Sequence, residues 1–185
     1  MDTDWTEAAE SIAGYKFTNT ALLEQALSHS SAVDQRSESN ERLEFLGDAV
    51  LGFVVCCEIY NRFPEFEEGD MTKVKSSVVS RKICADVADE LEIARILRVG
   101  KGMNTQKQIP SSVTGAAYEA LIGAIFLDGG FDVAKTFVLK TMSERINAAA
   151  RSTHQENYKS ILQQFGQKTV GFAPMYVVLD EKGPD

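Results

Sequence analysis

Three carboxylates recur at helical spacing in the segment NERLEFLGDAVL, residues 40–51: Glu41, Glu44 and Asp48. At about 100° per residue they fall within roughly 60° of one another on a helical wheel. Phe45 stands beside them, while Leu43, Leu46, Val50, Val54 and Cys57 gather on the opposite side. Two carboxylates about 4 Å apart repel by roughly 4 kcal/mol at an effective dielectric near 20. Such a cluster either takes up protons or collects a cation. Hard oxygen ligands without histidine or thiolate select Mg²⁺, with Mn²⁺ as its substitute. A carboxylate-held Mg²⁺ keeps several waters and prefers phosphate oxygens as further ligands, which points to phosphoryl chemistry. A solvated acidic face is the plainer reading of the same spacing. Two details favour a site: Phe45 lies among the acids, and Gly47 and Gly52 lie inside the helix. Each glycine costs about 1 kcal/mol there against alanine, and each permits close approach.

The segment YEALIGAIFLDGG, residues 118–130, supplies a possible second half. Glu119 is the single acid of its helix before Asp128, and Gly115, Ala116 and Gly123 flank it on one side. Small residues around one glutamate let another helix pack close. Spacing alone fits an ordinary helix contact equally well.

The elements that would position these groups read as a succession of helices. Thr18 or Asn19 caps a helix over residues 20–31. A long helix covers about 41–62 and stops at Phe63-Pro64. Asp70 caps the helical segment 71–93, and a Gly- and Pro-punctuated loop covers 98–112. Ser111 or Ser112 caps a helix to about Leu127, ended by residues 128–130, and a further helix spans about 132–150. The polar stretch RSTHQEN then reads as a linker. After it, YKSILQQFGQK forms a short amphipathic helix, and PMYVVLDEKGPD begins as an alternating strand.

Composition bounds the partners. The chain has 185 residues, 44% of them hydrophobic, and a formal net charge of −8. A packed core is therefore expected, and the acidity taken alone argues against nucleic acid or an anionic membrane. The longest apolar run, 49–57, is far short of the roughly 20 residues of a membrane span. The start of the chain lacks a basic, then apolar, leader, so a cytoplasmic protein is expected. Cys56, Cys57 and Cys84 lack C-x-x-C spacing and read as reduced core thiols rather than zinc ligands. His29 reads as a structural hydrogen-bonding residue.

NERLEFLGDAVL resembles the signature of the ribonuclease III family, the double-stranded-RNA endonucleases. ALSHSS at 26–31, EEGDMTKVKSSVVSR at 67–81, LRVGKG at 97–102 and YEALIGAIFLDGG agree in order and spacing. The tail from Asn157 resembles the start of a double-stranded-RNA-binding domain. The resemblance implies a mainly α protein: an all-helical catalytic domain over 1–152, a linker at 153–157, and a truncated α/β RNA-binding module over 158–185. It implies Mg²⁺-dependent cleavage of duplex RNA by a homodimer, in the processing of structured precursors such as rRNA. Glu44, Asp48 and Glu119 match the metal-binding acids, with Asp48 and Glu119 catalytic; Glu41 and Glu68 match supporting acids. Phe45 matches a phenylalanine that plugs into the partner subunit.

One position departs from the pattern. Ala116 stands where the family carries a metal-binding aspartate, one turn before Glu119. Either another acid completes the shell, with Glu41 and Glu68 nearest, or the chain is an impaired, duplex-binding homodimer. Lys159, Lys73 and Lys75 are candidate phosphate contacts, and a solvated surface role explains each as well. The resemblance implies only the first helix and strand of the RNA-binding module in these residues, and with so few of its basic residues they are expected to bind RNA weakly and with strong salt dependence.

Overall fold

The computed structural model describes residues 3–104, 109–172 and 174–175. Among them, eight α-helices carry the fold and no strand is present. In chain order these are α1 (Thr3–Ala13), α2 (Thr20–Ala26), α3 (Glu41–Arg62), α4 (Glu68–Val78), α5 (Arg81–Glu90), α6 (Lys101–Asn104), α7 (Ser111–Gly129) and α8 (Phe131–Val170). The chain divides into two compact units, residues 1–149 and 150–185. None of the described helices is long and apolar enough to cross a membrane.

The centre of the first unit is α7. Ala117, Tyr118, Ala120, Leu121, Ile122, Ala124 and Ile125 are all fully buried, so the helix is apolar on nearly every side. A helix of that kind belongs in the middle of a core, with others packed around it. Here α2, α3 and α5 surround it. Tyr118 keeps its buried hydroxyl satisfied through a 2.7 Å hydrogen bond with Thr141 Oγ1. Glu119 therefore stands on a helix with almost no other charge.

Several helix boundaries differ from those expected. α3 keeps its expected limits, and Asn19 caps α2, its Oδ1 accepting from the Ala21 N–H at 3.2 Å. α2 stops at Ala26, earlier than 31. α1 was not expected, although Trp5, Ala8, Ala9 and Ile12 recur at helical spacing along it. The segment expected as one helix from Asp70 is two. α4 begins at Glu68 after the cap residue Glu67, and the chain breaks at Val79-Ser80. Ser80 then caps α5, its Oγ accepting from the Ile83 N–H at 3.4 Å. α8 continues to Val170 through the stretch expected as a linker, since RSTHQEN contains neither proline nor glycine to end a helix. Gly171, at φ +79°, then turns the chain, and the Phe172 carbonyl and the Pro174 ring come close to Gly166. Of the strand expected from Pro174, Pro174 and Met175 are irregular and 176–185 lies outside the described residues.

Asp128 ties the end of α7 to the entry of α2. Its carboxylate accepts hydrogen bonds from the Tyr15 hydroxyl and from the Thr18 and Asn19 N–H groups, each at 2.8 Å. Burial pulls its pKa up, but the bonds from Thr18, Tyr15 and Asn19 outweigh that and hold it below the usual aspartate range. Asp128→Ala should cost on the order of 2 kcal/mol in denaturant unfolding. Because the folded pKa is depressed, this stabilisation is present above the unfolded value and is lost as pH falls through the folded one.

Candidate active site

Two glycines bring the acids together. A Cβ built on Gly47 of α3 would land on the Glu119 carbonyl oxygen of α7. A Cβ on Gly123 of α7 would land on the Leu43 carbonyl oxygen and come within 3.2 Å of the Gly47 nitrogen. The two helices thus cross backbone against backbone. Glu44 and Glu119 emerge beside the crossing and line one cavity of about 160 Å³ with Arg81, Cys84, Ser112, Gly115 and Ala116. The close approach suggested by the glycines is borne out at Gly47. At Gly52 a Cβ would meet nothing within 4 Å.

The electrostatics follow from partial burial. Desolvation raises the Glu44 pKa first, Glu41 and Asp48 add to it, and Arg81 opposes. Desolvation likewise raises Glu119, with Asp48 and Glu44 adding to it, while a hydrogen bond from Cys84 and the charge of Arg81 oppose. The Cys84 Sγ–H donates to Glu119 Oε1 at 3.3 Å. Burial and then the field of Glu119 push the Cys84 thiol strongly up, so it remains a neutral donor. Two partly buried carboxylates therefore share one wall with both pKa values raised.

Among the described residues, no three Asp, Glu, His or Cys side chains converge into a ready metal cage. The donor set nevertheless fits a hydrated divalent ion. Mg²⁺ is held through one or two carboxylates with water filling its remaining positions, and Glu44 and Glu119, which line one cavity, are the two residues that would hold it there.

The other expected residues divide. Asp48 is exposed and does not line the cavity, but its charge acts on both Glu44 and Glu119. Glu41 pairs with Arg36 at 2.6 Å, and that hydrogen bond holds its carboxyl below the usual range. Glu68 stands apart, accepting from Thr72 Oγ1 at 2.8 Å and lining a different cavity with Lys75. Lys73 is exposed on α4. Lys159 falls within α8, and its side chain lies outside the described residues. His29 accepts at Nδ1 from the Ser31 N–H at 3.2 Å and caps a short 3₁₀ turn, as a structural histidine should.

Arg81 and Cys84 were missed by sequence reasoning. Their signal was the Ser80 cap, which starts a new helix and turns both residues toward α7.

Phe45 has company. On α3, Phe45 (82% exposed), Phe53 (58%) and Tyr60 (70%) form an apolar stripe beside the acids. Cys56 lies on this open stripe too, contrary to the expected core position, while Cys84 is buried as expected and all three thiols are free. Phe53, Cys56 and Tyr60 wall an apolar cavity of about 430 Å³ with Met71 and Thr72 of α4.

Residues 19–146 match the family model described as Ribonuclease-III-like. Ribonuclease 3 from Rhodopirellula baltica is 42% identical over 97% of this chain and 67% of its own length. Ribonuclease 3 from Symbiobacterium thermophilum is 39% identical over 92% of this chain and 74% of its own. Among solved structures, the nuclease domain of ribonuclease III from Campylobacter jejuni aligns at a TM-score of 0.70 with 36% identity. That alignment covers 75% of this chain and 96% of the other, which is described for flexibility in a region involved in dimer formation.

Proposed function

The chain belongs to the ribonuclease III family, and we propose that it is an endoribonuclease hydrolysing phosphodiesters of double-stranded RNA with Mg²⁺ or Mn²⁺. The observation that carries this reading is the pair Glu44 and Glu119, held by a backbone crossing in one cavity with both pKa values raised. These two would hold the ion, and Asp48 would add its negative charge to the site. A bound divalent ion supplies Lewis acidity toward phosphate and an activated water. Cys84 orients Glu119, and the buried walls of α7 keep it from swinging away. Glu41 supports Glu44 from its own turn. Glu68 is distant within one chain, so a supporting role for it falls to the dimer.

The dimer reading rests on the α3 stripe. An apolar patch beside acidic residues on a soluble helix marks a partner surface. Phe45 of a second copy fits the 430 Å³ apolar cavity in size and chemistry. Phe45→Glu should convert the dimer to monomer in sedimentation velocity while leaving the helical circular dichroism unchanged.

The segment from Tyr158 is the start of a duplex-RNA-binding module, with Lys159 as a phosphate contact and Lys73 and Lys75 as further ones from α4. Structured precursors such as rRNA, in the cytoplasm, are the substrate class. A second reading is favoured by Ala116: a homodimer that binds duplex RNA without cutting it. Incubation of long duplex RNA with Mg²⁺ or Mn²⁺ separates the two. Cleavage by the native chain carries the enzyme reading. Cleavage only by Ala116→Asp makes the native chain a binder, and silence from both contradicts the site.

A further inference from the structure

The cavity of Glu44 and Glu119 also carries a cation. Arg81 is the first residue of α5, directly after the Ser80 cap. Gly115 explains its placement. A Cβ there would come within 3.2 Å of the Ala85 nitrogen and 3.6 Å of the Arg81 carbonyl oxygen, so α7 runs tightly against the first turn of α5. Arg81 therefore shares the cavity wall with Ala116, Glu44 and Glu119. Its charge acts on both glutamates. Among the described residues no carboxylate lies within ion-pair distance of it.

We propose that Arg81 is the phosphate-binding cation of this cutting centre, supplying from the chain itself positive charge that a carboxylate at position 116 would recruit as metal. The inference rests on the function proposed above. A guanidinium is always protonated and offers a planar fork of donors matched to paired phosphate oxygens. It needs no ligand of its own, so it can work beside a centre with one acid fewer. An aspartate at 116 would pair with Arg81 and cancel its charge. Alanine leaves the guanidinium free, so Ala116 and Arg81 form one arrangement rather than a defect with an unrelated neighbour. The N-terminal end of α5 adds positive potential on the same side.

Two effects of opposite sign test this. Mn²⁺ affinity of the RNA-free full chain is measured by electron paramagnetic resonance for the native protein and for Arg81→Gln, Arg81→Lys, Lys82→Gln and Glu44→Gln. Removing a fixed positive charge from the acid cavity should tighten Mn²⁺ binding several-fold in Arg81→Gln, as relief of short-range Coulomb repulsion requires. Glu44→Gln should weaken it, and the exposed neighbour Lys82→Gln should leave it unchanged. The second readout is a short duplex RNA at saturating Mn²⁺, followed as single-turnover cleavage, or by anisotropy if the chain binds without cutting. Here Arg81→Gln should lose about tenfold, as expected for one charge-assisted phosphate contact, with Arg81→Lys between it and the native chain. Unchanged Mn²⁺ affinity in Arg81→Gln with weakened affinity in Glu44→Gln overturns the Arg81 assignment alone. A gain in both readouts makes Arg81 a competitor of the metal and also overturns it. Unchanged Mn²⁺ affinity in Glu44→Gln removes the metal site itself.

Discussion

Gly47→Val should lower the thermal midpoint by on the order of 10 °C and abolish RNA cleavage, whatever the metal concentration. The reason is geometric. The first carbon of any side chain at 47 would occupy the position of the Glu119 carbonyl oxygen. A flexible side chain could yield, but a backbone carbonyl inside a buried helix cannot. α3 and α7 must therefore separate. Overpacking of a close-packed interior costs typically 1–3 kcal/mol and more where the clash is with backbone. For a chain of this size each kcal/mol shifts the midpoint by roughly 2–4 °C. Separation also moves Glu44 away from Glu119, so function is lost by displacement even in molecules that remain folded. Gly69→Ala provides the contrast. It lies on α4 with nothing within 4 Å of the added carbon, and should be neutral or slightly stabilising. Differential scanning calorimetry and a gel assay on one duplex substrate decide both.

Glu119→Gln should separate activity from stability in opposite directions. The amide preserves shape but removes the charge that would hold a divalent ion. Loss of groups that merely orient metal ligands costs about 10–100-fold, so loss of a ligand should cost at least about hundredfold in cleavage rate. Without metal, however, the native carboxylate is a burden. Its pKa is raised, first by desolvation and then by Asp48 and Glu44, so the folded chain holds this proton more tightly than the unfolded chain. Between the ordinary glutamate value and the raised one, the folded state binds more protons than the unfolded state. Stability therefore falls as pH climbs through that window. Relative to Glu119→Gln under the same conditions, native protein in chelator should lose stability on going from acid to neutral pH, whatever slope the depressed carboxyls of Asp128 and Glu41 give to both. Addition of Mn²⁺ at neutral pH should raise the native midpoint and leave that of Glu119→Gln nearly unmoved. A pH slope identical in the two proteins would show that Glu119 carries no strained charge.

The helix carrying the acids was legible from residue types because two signals agreed along it. The apolar period of α3 and the stop at Phe63-Pro64 fixed its limits, and the placement of Glu41, Glu44 and Asp48 on one side followed. α7 was legible as a helix from its unbroken apolar character and its DGG ending. What the pattern could not convey was the partner of each small residue. Gly47 and Gly123 pack on each other's helices, whereas Gly52 faces open space, and nothing local distinguishes them. The break at Ser80 was overlooked because Val78 and Val79 continue the apolar rhythm. That single boundary hid Arg81 and Cys84, which reach the cavity only because α5 starts there. The linker failed for the reverse reason: RSTHQEN is polar but contains no residue that stops a helix, so α8 runs on through it. Cys56 was read as core because cysteine is usually buried, yet it shares the open stripe with Phe53 and Tyr60.

On the proposed function, Glu44 and Glu119 persist beside each other because a divalent ion joins them to an RNA phosphate. Anomalous diffraction from crystals soaked in Mn²⁺ addresses it directly. A peak in the cavity between these two carboxylates, absent from crystals of Glu119→Gln, is the predicted result. An anomalous map empty at that position at saturating Mn²⁺, with both carboxylates ordered and unmoved, would contradict it.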